Sequence, residues 1–198
     1  MSASLDALAA ALTAFDARDA PVERIPPDRL PAGGFSRAAV LVPLHERDGE
    51  LHVLLTRRPT TMRRHAGQVS FPGGRVEPGE ESLAAALREA REEIGLEASR
   101  ADVMGRLSET LVLQSAFRLT PWVASVPYPY PYVAAAGEVE EILHVPLAAL
   151  ARPDAHRVEP REVYGMKLDV HFFSVGGDVI WGATGRVLAE LLAIWRTL

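Results

Sequence analysis

Gly74-Arg75-Val76-Glu77-Pro78-Gly79-Glu80-Glu81-Ser82-Leu83-Ala84-Ala85-Ala86-Leu87-Arg88-Glu89-Ala90-Arg91-Glu92-Glu93-Ile94-Gly95-Leu96 is the stretch from which the rest of the chain is read. Its later part, 82–94, has the spacing of an amphipathic helix. With Glu89 at zero, a turn of about 100° per residue puts Glu92 near roughly 300° and Glu93 near roughly 40°. The three carboxylates therefore share one side. Leu83, Ala86, Leu87, Ala90 and Ile94 fall between roughly 60° and 160° and form the face for a core. The acidic wedge borders that buried stripe and is partly sheltered by it. Carboxylates held this close repel one another unless a cation neutralises them. Gly95 suits the left-handed residue that ends a helix, and Gly73-Gly74 allow the preceding backbone a close approach to whatever the carboxylates bind.

Working outward, Leu5, Leu8, Ala9, Leu12 and Phe15 recur at helical spacing and predict a helix over 5–18. Pro21, Pro26, Pro27, Pro31 and Gly33-Gly34 make 20–35 a connecting segment. Residues 38–42 and 51–55 are short apolar runs on either side of Asp48-Gly49, a hairpin signal. Strands are expected over 107–113 and 118–126, a short helix from Pro146 to Leu150, and a second amphipathic helix around Val187–Trp195. The alternation of Pro127, Pro129 and Pro131 with Tyr128, Tyr130 and Tyr132 favours an extended loop. His144, His156 and His171 have no metal-ligand spacing. The pattern is that of one α/β domain, residues 36–198, preceded by an N-terminal helix and connecting segment, residues 1–35.

A composition of 48% hydrophobic and 24% charged residues excludes a disordered or collagenous chain. The formal net charge of −5 argues against nucleic acid as a partner, so an anionic ligand needs a local basic patch or a metal. With Cys 0 there is no disulfide, thiol nucleophile, iron–sulfur cluster or Cys-ligated zinc. No run approaches the roughly 20 apolar residues of a membrane span. No signal-peptide pattern opens the chain, and Arg196-Thr197-Leu198 is not the Ser-Lys-Leu address. No membrane partner is expected, and the cytoplasm is the expected location.

The opening stretch resembles the signature of the Nudix hydrolases, G-x5-E-x7-R-E-U-x-E-E-x-G-U with U aliphatic. Gly74, Glu80, Arg88, Glu89, Glu92, Glu93 and Gly95 fill all its fixed positions, a match expected by chance on the order of 10⁻⁹ per starting position. Ala90 stands where a bulkier aliphatic residue is usual. The resemblance implies an α/β/α sandwich with a mixed β-sheet and a divalent metal ion, Mg²⁺ or Mn²⁺. It implies Glu89, Glu92 and Glu93 as metal ligands, with a backbone carbonyl at Gly73 or Gly74 completing the site. Magnesium suits such an all-oxygen set, since it keeps several waters and is completed by substrate phosphates. Glu80 is expected to orient the site by pairing with Arg88, itself structural. The base that takes the proton of water is Glu92 or a carboxylate outside the signature, for which Glu138 is the candidate.

Immediately upstream, residues 54–74 resemble the coenzyme A pyrophosphatase branch of that family, L-L-T-x-R-[SA]-x3-R-x3-G-x3-F-P-G-G. Leu54, Leu55, Thr56, Arg58, Arg63, Gly67, Phe71, Pro72, Gly73 and Gly74 match, and Pro59 stands where Ser or Ala is usual. Thr120-Pro121-Trp122-Val123, Gly137-Glu138-Val139 with Val145-Pro146-Leu147, and residues 180–184 also resemble the branch. Arg57, Arg58, Arg63, Arg64 and His65 form a basic cluster in an acidic chain. Guanidinium forks match phosphate oxygens, so Arg57, Arg58, Arg63 and His65 are expected at the substrate, with Phe71 beside them. The resemblance implies hydrolysis of coenzyme A to 4′-phosphopantetheine and adenosine 3′,5′-bisphosphate. ADP-ribose or another nucleoside diphosphate derivative is the alternative substrate, and a non-catalytic binding module the remaining one. The small-molecule substrate is the expected partner, and a homodimer is a compatible assembly.

Overall fold

A computed structural model describes residues 2–19, 25, 26, 28, 30–61, 66–163 and 166–198. The order of elements is α1 (Ala3–Ala14), β1 (Ser36–Arg47), β2 (Glu50–Arg57), β3 (Val69–Ser70), β4 (Gly73–Arg75), α2 (Ser82–Ile94), β5 (Asp102–Arg106), β6 (Thr110–Val112), β7 (Phe117–Ser125), β8 (Glu141–Pro146), α3 (Leu147–Leu150), β9 (His156–Val163), β10 (Met166–Val175), β11 (Asp178–Trp181) and α4 (Gly182–Trp195). Single turns of 3₁₀ helix precede β5 and β7.

The central strand explains the architecture. Residues 38–45 of β1 are all buried, because the strand is covered on both faces. Val40, Val42 and Leu44 join a core with α1 and α4, whereas Ala39 and Leu41 face α2. β1 runs parallel to β7 and antiparallel to β2 and β4, so the sheet is mixed. Its backbone order is β3-β2-β1-β7-β5, with β4 on β1, β6 on β7 and β8 on β2. A separate antiparallel sheet, β11-β10-β9, closes one side. This is the α/β/α sandwich expected from the sequence. Asp48 and Gly49 both take positive φ, 53° and 80°, the conformation a two-residue hairpin turn of this hand requires.

Several elements differ from expectation. α1 stops at Ala14, four residues short of the predicted end, where Phe15 turns extended. The strand expected over 107–113 contracts to β6, and β3, β4, β5, β8, β9, β10 and β11 have no counterpart among the expected strands. β9 carries charged residues on both faces, so period-two patterning fails to mark it, whereas β10 does alternate, Met166, Leu168, Val170 and Phe172 standing between Lys167, Asp169 and His171. α1 buries Leu5, Leu8 and Leu12 in the same core as α4. Gly105 in β5 leaves room for it, since a Cβ there would stand 3.3 Å from the Cβ of Leu12. Residues 3–14 are thus built into the fold of the residues that follow.

Phe71 is also displaced from its expected role. It is 3% exposed and lies in the core with Val69 and Leu55, so it is not a substrate contact. Phe71→Leu, which keeps most of the apolar volume, is expected to lower unfolding free energy by about 1 kcal/mol and to leave kcat/KM unchanged. Chemical denaturation beside steady-state kinetics measures both. A selective loss of kcat/KM would return the ring to the binding site.

Candidate active site

α2 is shaped by its sequence. Ala85, Ala86, Ala90 and Ile94 are fully buried against Ala39, Leu41 and Leu54. The small side chain of Ala90, the departure noted above, is itself fully buried in that interface. At the C-terminus Gly95 adopts φ 68° and its N–H donates to the carbonyls of Ala90 and Arg91, which satisfies groups a helix end leaves open.

The glycine pair sets the distance between strand and helix. A Cβ on Gly73 would come within 2.4 Å of the Ala39 carbonyl oxygen, and one on Gly74 within 2.4 Å of Glu89 Oε1. Gly73 must therefore lack a side chain for β4 to pair with β1, and a Cβ at Gly74 would displace the Glu89 carboxylate. The Gly73 N–H donates to Glu93 Oε2 at 3.2 Å.

Glu93 is 6% exposed. Burial pushes its carboxyl up to about 7, against the Gly73 N–H and the Arg58 charge, while Glu89 and Glu138 raise it further. Glu89 is also raised, mainly by burial, with Arg88 opposing and Glu92 and Glu138 adding to the effect. The charges of Glu89, Glu93 and Glu138 therefore act on one another. Glu138 reaches this position because its loop is pinned at both ends. Val133 and Ala135 donate backbone N–H groups to the carbonyls of Ile94 and Glu93, and the Glu140 N–H donates to Arg57.

Arg88 uses all five of its N–H donors. Nε and Nη2 hold the two oxygens of Glu80 at 3.0 and 3.2 Å, and Nη1 reaches Glu89 at 2.9 Å and Glu92 at 3.3 Å. Nη2 also donates to the Arg75 carbonyl at 3.0 Å. Arg88 bonds and the Glu77 N–H hold the Glu80 carboxyl below the usual range. The pairing of Glu80 with Arg88 and the structural reading of Arg88 thus have a direct geometric counterpart. In this arrangement no three His, Asp or Glu side chains among the described residues are placed to grip one ion together. Arg88 occupies Glu89 and Glu92 instead. The donor set is nonetheless carboxylate and backbone oxygen, the chemistry of a hard divalent cation, and it carries more negative charge than one arginine balances.

The basic cluster divides. Arg57 makes two bonds to Asp178, Nε–Oδ1 at 3.2 Å and Nη2–Oδ2 at 2.7 Å, and a third bond to Glu141. It ties β2 to β8 and β11, so it is not the phosphate contact expected of it. Arg58 is different: its charge acts on Glu93. Its Nε is shielded from solvent and has no hydrogen-bond partner among the described residues. Its backbone is fixed, the N–H donating to Gln68 and the carbonyl accepting from Gly67. Arg63, Arg64 and His65 lie outside the described residues. Sequence reading passed over two histidine pairs, His45 with His144 at 2.7 Å and His156 with His171 at 3.0 Å. Their members are far apart in the chain, and only strand pairing joins them.

Comparison with known proteins gives the family. The family model described as "NUDIX domain" matches residues 35–165. A Cronobacter sakazakii protein named "Uncharacterized Nudix hydrolase NudL" is 39% identical over 162 residues, covering 78% of this chain and 80% of that protein. The protein of the same name from Yersinia pestis (strain Pestoides F) is 38% identical over 157 residues, covering 78% and 77%. Among solved structures, a MutT/nudix family protein from Enterococcus faecalis superposes with a TM-score of 0.55 at 14% identity, over 100% of this chain and 74% of that one. RenU, a Nudix hydrolase from M. smegmatis, gives 0.51 at 25% identity, over 60% and 74%.

Proposed function

The chain belongs to the Nudix family of hydrolases, and on that premise we propose that it hydrolyses the pyrophosphate bond of coenzyme A. The oxygen of water bonds to one phosphorus as the bridging oxygen leaves with the other, giving 4′-phosphopantetheine and adenosine 3′,5′-bisphosphate. The observation that carries the reading is Arg58, a residue of the upstream signature. It is set beside Glu93 of the box with a shielded Nε that no described residue binds. A guanidinium so placed suits a substrate phosphate.

In this reading Glu89, Glu92 and Glu93, with the backbone at Gly73, would hold Mg²⁺ or Mn²⁺. When bound, such an ion polarises a phosphoryl oxygen and acidifies water. Glu138 would serve as the base rather than Glu92, because Glu92 would be engaged by the ion while the charge of Glu138 acts on Glu89 and Glu93 from outside the helix. Arg63 and His65 remain substrate contacts by resemblance. The cytoplasm is the location that fits such a substrate, and no helix of the described residues is long and apolar enough to cross a membrane.

A substrate panel tests the assignment. Coenzyme A, 3′-dephospho-coenzyme A, ADP-ribose and a dinucleoside polyphosphate are assayed with Mg²⁺ and with Mn²⁺. Coenzyme A is expected to give the highest kcat/KM, and turnover should vanish in EDTA. Preference for ADP-ribose would replace the substrate while keeping the reaction class. Binding without turnover of any of them would point to a non-catalytic module.

A further inference from the structure

A cleft of about 560 Å³ is bounded by Ile25, residues 68–70, 109–114, 166–170 and the start of α4. Three strand edges meet there. β3 pairs with β2 and β6 with β7, each on one side only among the described residues. β10 pairs with β9 along 166–173, yet β11 reaches only 172–175 on its other edge. Strand edges present backbone N–H and C=O groups that a further extended chain can pair with. Between them stand apolar side chains, including Leu111, Val170, Leu168 and Trp181, the last two 39% and 40% exposed. The cleft connects to the chemistry through one hydrogen bond, because the Gln68 carbonyl at its wall accepts from the N–H of Arg58, the residue whose charge acts on Glu93.

Resting on the coenzyme A reading, we propose that this cleft holds the uncharged arm beyond the substrate's pyrophosphate and reads it by strand addition. The ligand class is an extended chain in which amides alternate with short alkyl segments. Amides pair with the open edges, and the alkyl segments lie against Leu111, Leu168 and Val170. A ribose in the same place is compact and hydroxyl-bearing and cannot extend a strand. The arm, rather than the nucleotide, then separates coenzyme A from nucleotide sugars.

The test uses the full chain with Mg²⁺ and two substrates: coenzyme A, and an analogue with the same adenosine 3′-phosphate 5′-diphosphate but a methyl group in place of the arm. Wild-type kcat/KM is expected to favour coenzyme A by at least about ten-fold, the worth of one or two hydrogen bonds. Leu168→Trp, a neutral filling of the cleft, should bring that ratio towards one. Free pantetheine gives a reading without any variant: it should slow amide hydrogen exchange at 69–70, 110–113 or 166–170 in the wild-type protein. Equal kcat/KM for both substrates, or pantetheine protection confined to other segments, would overturn the cleft assignment. If the wild type does not hydrolyse coenzyme A at all, it is the parent reading that fails.

Discussion

Glu93→Gln is expected to lower turnover on coenzyme A at saturating Mg²⁺ by on the order of a hundred-fold or more, since even partners one step removed from a metal are worth ten- to a hundred-fold. The same change should make the metal-free protein more stable above neutral pH. The argument is one of burial. Glu93 is 6% exposed and its one hydrogen-bond partner among the described residues is the Gly73 N–H, so the fold favours the protonated form and raises the carboxyl from 4.5 to about 7. A group raised in the folded state contributes stability that is fully present below its unfolded value and lost as pH rises through its folded value. Between about pH 4.5 and pH 7 the metal-free wild type should therefore lose up to about 3 kcal/mol from this residue. Glutamine has no proton to lose and should show no such fall. Thermal melts in EDTA at pH 5, 6, 7 and 8 read the difference, and added Mg²⁺ should raise the wild-type melt at pH 8 more than that of the variant. Unchanged turnover would remove Glu93 from the site.

Arg58→Ala is expected to reduce kcat/KM on coenzyme A by about ten- to a hundred-fold, the worth of a charge-assisted hydrogen bond. Stability should hardly move, because Arg58 Nε has no hydrogen-bond partner among the described residues and the backbone bonds to Gln68 and Gly67 do not depend on the side chain. Comparing coenzyme A with 3′-dephospho-coenzyme A identifies the phosphate. An arginine on the pyrophosphate hurts both substrates alike, whereas one on the 3′-phosphate loses its effect on the dephospho form. No change on either substrate would make the arginine a solvated residue of its loop and leave the specificity resting on family likeness.

The parts of the molecule legible in sequence are those fixed by local rules. α2 occupies the predicted 82–94 because its apolar stripe, its glycine stop and its carboxylate spacing all follow from one helical period. The β1–β2 hairpin follows from Asp48-Gly49 between apolar runs. Where long-range packing decides, sequence is silent or misleading. Arg57 and Arg58 are adjacent in a basic run, yet strand alternation turns them to different neighbours, and only Arg57 finds Asp178, 121 residues away. Phe71 sits inside a functional signature but on the same face as Val69, which points to the core. The proximity of Glu138 to Glu89 and Glu93 depends on a loop pinned by backbone bonds that leave no trace in composition.

The saturated guanidinium of Arg88 has a consequence for how much an incoming ion must organise. One planar group holds the Glu80 loop, the Arg75 carbonyl of β4 and the first carboxylates of α2 in a single frame. The backbone around the site is therefore ordered before anything binds. Accepting an ion then asks only that Glu89 and Glu92 exchange one partner for another by turning about side-chain bonds, a far smaller entropic cost than folding a loop. The protein has met that cost in advance, through an arginine that need never touch the substrate.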